Sequence, residues 1–277
     1  MAKGQLVLVA TPIGNLGDIT LRAVEALKAA DRIAAEDTRR TRALLSHLGI
    51  SGKPLISLDA HAGEREIDAL LEKVEAGERV AFVTDAGMPS VSDPGTALVR
   101  AAVARSLGVT VIPGPSAVST AVALSGLVDA AYLFAGFLPR SGQKRRVALE
   151  RVARTVEPVV LFEAANRARA ALSDLAALAP TRAAALCREL TKLHEEVRRG
   201  TLAELAADER EIQGEVVIVL GSGEALDVLP DAAELDRRIR AALASGSTPR
   251  DVADELAAWS RRPRREVYAR VLELRRG

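Results

Sequence analysis

The chain has 277 residues, 48% of them hydrophobic and 3% aromatic, and its 38 Lys and Arg against 37 Asp and Glu leave a net charge of +1. This allows a sizeable core of Ala, Val and Leu in about two domains, and it excludes a polycationic nucleic-acid binder, so any such contact must come from local patches. The one cysteine, Cys187, excludes a disulfide framework and a Cys-based zinc site and suits a reducing cytoplasm; no signal-peptide pattern opens the chain and no apolar run has the length of a bilayer span.

Apolar β-type runs alternate with Ala/Leu-rich helical patterns. Strands are expected at 6–10, 32–35, 55–58, 80–84 and 109–112, with helices at 21–30, 38–48, 64–75 and 95–106. That alternation predicts a mainly parallel sheet with helices on both faces. A second series has strands at 132–137, 158–163, 183–188 and 215–220 and helices at 144–156, 167–178 and 202–208. From about 231 the pattern is helical (232–243, 249–259, 264–274), with turns at Ser245-Gly246-Ser247 and Arg262-Pro263. The fold class is therefore α/β: two α/β domains, 1–114 and 115–226, followed by a small helical domain, 227–277.

The loops after the strands could carry chemistry, because an α/β protein usually binds its ligand there. The first, Ala10-Thr11-Pro12-Ile13-Gly14-Asn15-Leu16-Gly17-Asp18, is not the dinucleotide fingerprint. By itself it reads as a strand-to-helix turn capped by Asp18 or Thr20. The second, Glu36-Asp37-Thr38-Arg39-Arg40-Thr41-Arg42, puts arginines at a helix start, where the dipole disfavours them. Phosphate binding is one reason for that; an N-cap with solvated charges is the other. The third, Val83 to Gly95, holds two Gly, two Pro, two Asp and two Ser. Its backbone N–H groups and Asp85 could meet a polar small molecule. The fourth, Pro113 to Thr120, is a rigid turn into a helix that Ser116 could cap. The fifth pairs Phe162-Glu163-Ala164-Ala165-Asn166-Arg167 with Arg188-Glu189-Leu190-Thr191-Lys192, two strand ends whose charges could pair with each other.

The three histidines, His47, His61 and His194, have no ligand spacing, so no metal is expected. Cys187 reads as a small core residue, and no Gly-x-Ser-x-Gly elbow occurs. Two basic patches stand out: six basic residues and one acid between 140 and 154, and seven arginines and two acids from 261 onward. Such runs are usually solvated faces, but Arg forks also suit phosphate oxygens.

Together these loops, with Gly136-Phe137-Leu138-Pro139-Arg140, resemble in their order a family of bacterial small-subunit ribosomal RNA cytidine 2′-O-methyltransferases within the tetrapyrrole-methylase superfamily. The resemblance covers about 6–274 and includes Arg264-Arg265-Glu266-Val267-Tyr268 in a helix-turn-helix-like tail. This chain has Ala165-Asn166 where the family often has Pro-His, and Gln213 where it often has Lys. The resemblance implies S-adenosylmethionine bound in a cleft between two α/β halves of a homodimer. It also implies methylation of a cytidine ribose in the decoding region of small-subunit rRNA, free or in the assembled subunit. Carried over by position, the cofactor wall would be Pro12, Asp85, Gly87, Met88, Pro89, Ser90, Ser116, Ala117, Phe162 and Leu190. RNA phosphates would meet Arg39, Arg40, Arg140, Lys144 and Arg146, with Arg264 and Arg265 in the tail. A ribose hydroxyl needs a general base, for which Asp37, Glu163 and Glu36 are candidates, Asp37 first because it lies beside Arg39. The rival readings are a tetrapyrrole methyltransferase, a non-catalytic RNA-binding assembly factor, and an NAD oxidoreductase, the last disfavoured by the absent fingerprint.

Overall fold

Strands buried on both faces build the first sheet. Strands β1 (Gln5–Val9), β2 (Arg32–Ala35), β3 (Leu55–Ser57), β4 (Arg79–Val83) and β5 (Gly108–Ile112) are all parallel, in the order β3-β2-β4-β1-β5. Val7, Val9, Ile33, Ala81 and Val83 point to one face and pack on α1 (Leu21–Ala29) and α2 (Thr38–His47). Leu6, Leu8, Ala34, Val80 and Phe82 point to the other and pack on α3 (Glu64–Glu75) and α4 (Gly95–Ala104). A parallel sheet has both faces covered, which is why its strands are nearly all apolar. The computed structural model describes residues 4–59, 62–89, 95–223, 232–260 and 262–276.

The second sheet has the order β6-β7-β10-β8-β9, from β6 (Leu133–Phe137), β7 (Val159–Ala164), β8 (Ala183–Arg188), β9 (Glu196–Thr201) and β10 (Glu215–Leu220). Here one strand departs from the expectation. The sheet is mixed: β6 and β7 are parallel, while β10 runs antiparallel to β7 and β8, and β9 to β8. Strand β9 was not expected at all, because its sequence Glu-Val-Arg-Arg-Gly-Thr is charged rather than apolar. Among the described residues it is an edge strand that pairs only with β8, and charge suits an edge.

One face of this sheet packs on α6 (Gly142–Arg154), α7 (Ala165–Leu178) and α8 (Leu202–Ala207). The other face, including Val160, Ala185, Cys187, Val217 and Val219, packs on α5 (Ala117–Ser125) and on Ile13 from the loop after β1. The two-sheet architecture is the expected α/β fold. Both sheets belong to one compact unit, Met1–Glu224. The domain boundary expected at 226/227 lies outside the described residues.

The other unit, Ala225–Gly277, contains α9 (Ala232–Ala244), α10 (Pro249–Ser260) and α11 (Arg264–Arg276) around Leu235, Ile239, Val252, Leu256, Val267 and Val271. No described helix is long and apolar enough to cross a membrane.

Candidate active site

The loops that follow parallel strands gather at one edge of the first sheet, and there they face the ends of β7 and β8 and the start of β10. Two adjoining cavities lie between. One, of about 410 Å³, has an apolar wall of Ile13, Ala117, Phe162, Leu190 and Val217 and a polar side of Glu36, Asp85 and Glu163. The other, of about 320 Å³, is lined by Pro12, Gly14, Thr41, Leu44 and Lys192 among others. Arg40, Thr84, Asp85 and Glu215 border both, so the two are lobes of a single cleft.

The loop after β4 is fixed by backbone geometry. Thr11 and Gly87 form an isolated antiparallel bridge, each N–H donating to the other's carbonyl at 3.0 and 3.1 Å. Gly87 has φ +80°, the left-handed region that glycine enters without cost, and its missing Cβ leaves room for Ile13 Cγ2. The bridge presents Asp85 and Ala86 to the cleft. Asp85 N–H donates to Glu36 Oε2 at 3.2 Å, and Arg40 Nη1 approaches Asp85 Oδ2 at 3.5 Å. The buried Oδ1 of Asp85 and Oγ1 of Thr84 have no hydrogen-bond partner among the described residues. Buried polar atoms are normally paired, and a ligand with donors would pair these.

Glu163, at the end of β7, has a fully buried carboxylate in the cavity wall. Its Oε1 accepts from Ala164 N–H at 2.9 Å and pairs with Arg167 Nη2 at 2.5 Å. Its Oε2 lies 3.5 Å from Arg145 Nη1 without hydrogen-bond geometry and is otherwise unpartnered among the described residues. Arg167 bears out a charge pair at this strand end, whereas Arg145 reaches the site from a run that reads in sequence as a basic surface patch. Arg145 had a signal: it shares a helix face with Leu149 and Val152, which are buried, so helical periodicity turns it inward from an otherwise basic run.

Asp37 stands elsewhere. It is the N-cap of α2, accepting from Arg39 N–H at 2.8 Å and pairing with the Arg39 guanidinium at 2.9 Å, and it does not line either cavity. The side-chain and backbone donors of Arg39 hold its carboxyl down at about 2. Of the other expected residues, Met88 is half-buried and Pro89 buried on the loop after β4, while Ser90 lies outside the described residues. Ser116 occupies the N-cap position of α5, but its side chain makes no capping bond. Cys187 is buried in the core, and burial pushes its thiol up to about 11.

The expected phosphate contacts differ in availability. Arg140 and Lys144 are exposed at the start of α6, Arg146 donates to Gln143 Oε1 at 2.5 Å, and Arg39 is held by Asp37. In the helical unit Arg264 is paired with Asp254, and Arg265 is exposed. Many neighbouring arginines are likewise matched by acids: Arg237 and Arg238 by Glu234, Arg262 by Glu266, and Arg270 by Asp236 and Glu273. Among the described residues no group of three or more His, Cys, Asp or Glu could hold a metal ion.

Residues 5–206 match the family model of the tetrapyrrole (corrin/porphyrin) methylases. A ribosomal RNA small subunit methyltransferase I from Halalkalibacterium halodurans is 41% identical over 276 residues, covering 96% of this chain and 94% of that protein. Its counterpart from Xylella fastidiosa is 42% identical over 273 residues, covering 96% and 98%. The uroporphyrin III C-methyl transferase of Thermus thermophilus superposes with a TM-score of 0.57 over 81% of this chain and all of that one, at 20% identity. It shares the fold.

Proposed function

Because the chain belongs to the tetrapyrrole (corrin/porphyrin) methylases, and among them groups with the small-subunit ribosomal RNA methyltransferases I, we propose that it methylates small-subunit rRNA. More narrowly, the reading is transfer from S-adenosylmethionine to the ribose 2′-hydroxyl of a cytidine in the decoding region, by a homodimer in the cytoplasm. The observation that carries it is full-length similarity to those relatives, joined to a cleft in which Asp85 Oδ1, Thr84 Oγ1 and Glu163 Oε2 have no hydrogen-bond partner among the described residues.

The residues present suit the cofactor. A cavity of about 410 Å³ falls within the size range of small-molecule sites. Phe162, Leu190 and Val217 offer apolar contact to an adenosine, and the unpartnered Asp85 Oδ1 and Thr84 Oγ1 offer acceptors for hydroxyl or ammonium donors. Bound there, the cofactor would supply an already activated methyl group.

The protein's own task is to hold the ribose oxygen in line and to take its proton. We assign the proton acceptor to Glu163 rather than Asp37. Glu163 has an oxygen with no hydrogen bond on the cavity wall, whereas Asp37 lies outside the lining of both lobes with its carboxylate bound to Arg39. Arg145 and Arg167 orient Glu163, and Glu36 steadies the Asp85 backbone.

The test is methyl transfer from labelled S-adenosylmethionine to small ribosomal subunits from a strain lacking this activity, followed by nucleoside analysis. The expected product is 2′-O-methylcytidine. Cofactor binding without transfer to subunits or free rRNA overturns the reading, and transfer to a tetrapyrrole instead replaces it.

A further inference from the structure

The chain has four phenylalanines, Phe82, Phe134, Phe137 and Phe162, and three of them meet at one wall of the cleft. Phe162 contacts Phe134 edge-on at 5.0 Å between centroids and Phe137 at 5.4 Å. In a regular strand, positions 134 and 137 would point to opposite faces. They share a face here because β6 is irregular. Phe134 pairs with Val160 and Phe137 with Phe162, and the register slips by one residue between Phe134 and Gly136. Gly136, at φ +65°, takes up the distortion. A bulge of this kind re-aims a side chain, often next to an active site.

The re-aimed ring is not covered. Phe137 is 55% exposed although it borders the larger cavity. Its segment is braced, because Arg145, anchored on Asp174 and beside Glu163, also donates to the Pro139 carbonyl at 3.3 Å. Exposed Arg140 and Lys144 follow immediately in the chain. A flat aromatic face, a braced backbone and exposed cations a few residues on in the chain are the components of a single-stranded nucleic-acid platform, in which the base stacks and the phosphate meets the charge.

We infer that Phe137 is a stacking platform for an unpaired base of the RNA substrate, with Arg140 and Lys144 holding the adjoining backbone. This rests on the rRNA reading above and extends it to how the base is gripped. Any base has a π-face, so the platform gives affinity for unpaired RNA rather than choice of cytidine.

The experiment compares Phe137→Ala, Phe137→Leu and Phe137→Tyr in the full chain. It measures kcat and KM for small subunits, affinity for S-adenosylmethionine, and oligomeric state. Ala and Leu should raise KM roughly tenfold, Tyr should stay near the parent chain, and cofactor affinity should fall far less than KM rises. Three results overturn the inference: Leu performing as well as Phe, cofactor affinity falling in step with KM, or the variants dissociating a dimer. Should the parent chain methylate no rRNA, the proposed function fails but the platform is still tested by fluorescence. Phe137→Trp in a Trp259→Phe background carries one indole, at the cleft. Quenching by a short cytidine-rich single strand but not by duplex RNA is expected; equal response, or none, refutes the platform.

Discussion

The two carboxylates considered as the base differ in what surrounds them, and substitution should separate them. Glu163→Gln should lower kcat by about 100-fold, in line with loss of a general base, while affinity for S-adenosylmethionine holds. Asp37→Asn should keep nearly full turnover, because Asn also caps a helix and the carboxylate lies outside the cavity lining. Asp37 instead belongs to stability. Its folded value of about 2 lies below the ordinary 3.8, so the stabilisation it gives is complete above 3.8 and disappears as pH falls through about 2. Thermal melts across that window should show the deficit of Asp37→Asn relative to the parent chain shrinking as the solution is acidified.

Among elements, the strands and helices of the first sheet were legible because each strand is a short apolar run and each helix has an amphipathic face. The mixed direction of the second sheet was not, since local pattern says where a strand is and not which way its neighbour runs. Edge strand β9 was hidden by its arginines. Yet Arg198 is buried there, bonded to Glu196 and to the carbonyls of Arg210 and Glu211. The cleft residues were legible one loop at a time, but the bulge in β6 that turns Phe137 into the cleft has no mark beyond one glycine. Arg182 shows how such long-range ties operate. From the segment before β8 its buried guanidinium donates to the carbonyls of Gly221, Val152, Ala153 and Glu157, joining the ends of β10 and α6 to the entry of β7. Arg182→Met should cost about 3 kcal/mol in urea denaturation, because it leaves several buried carbonyls without donors.

For the whole molecule, net charge near zero hides local organisation. Arg237, Arg238, Arg262, Arg264 and Arg270 of the helical unit are matched by acids, whereas Arg265 there, and Arg140 and Lys144 at the start of α6, are exposed. Binding of RNA should therefore weaken steeply with salt while cofactor binding does not. Neutralising Arg140 or Lys144 should each reduce the slope of log K against log salt by about 0.7, the value for a single-strand phosphate contact.

The two halves also touch where neither ligand reacts. Asn15 N–H donates to Thr191 Oγ1 at 3.0 Å, and a Cβ built on Gly14 would fall 2.8 Å from the Leu190 carbonyl oxygen and 2.9 Å from Thr191 Oγ1. Glycine at 14 lets the backbone of one half lie against the strand end of the other, with Lys192 Cγ also within 2.5 Å of that Cβ, like a jaw whose gape is set by how close the chain can come. A wedge there, Gly14→Val, should force the jaw wider and weaken cofactor and RNA binding together, unlike any Phe137 substitution. Measuring both affinities on that one variant would show whether the fit of each ligand depends on how closely the two halves approach.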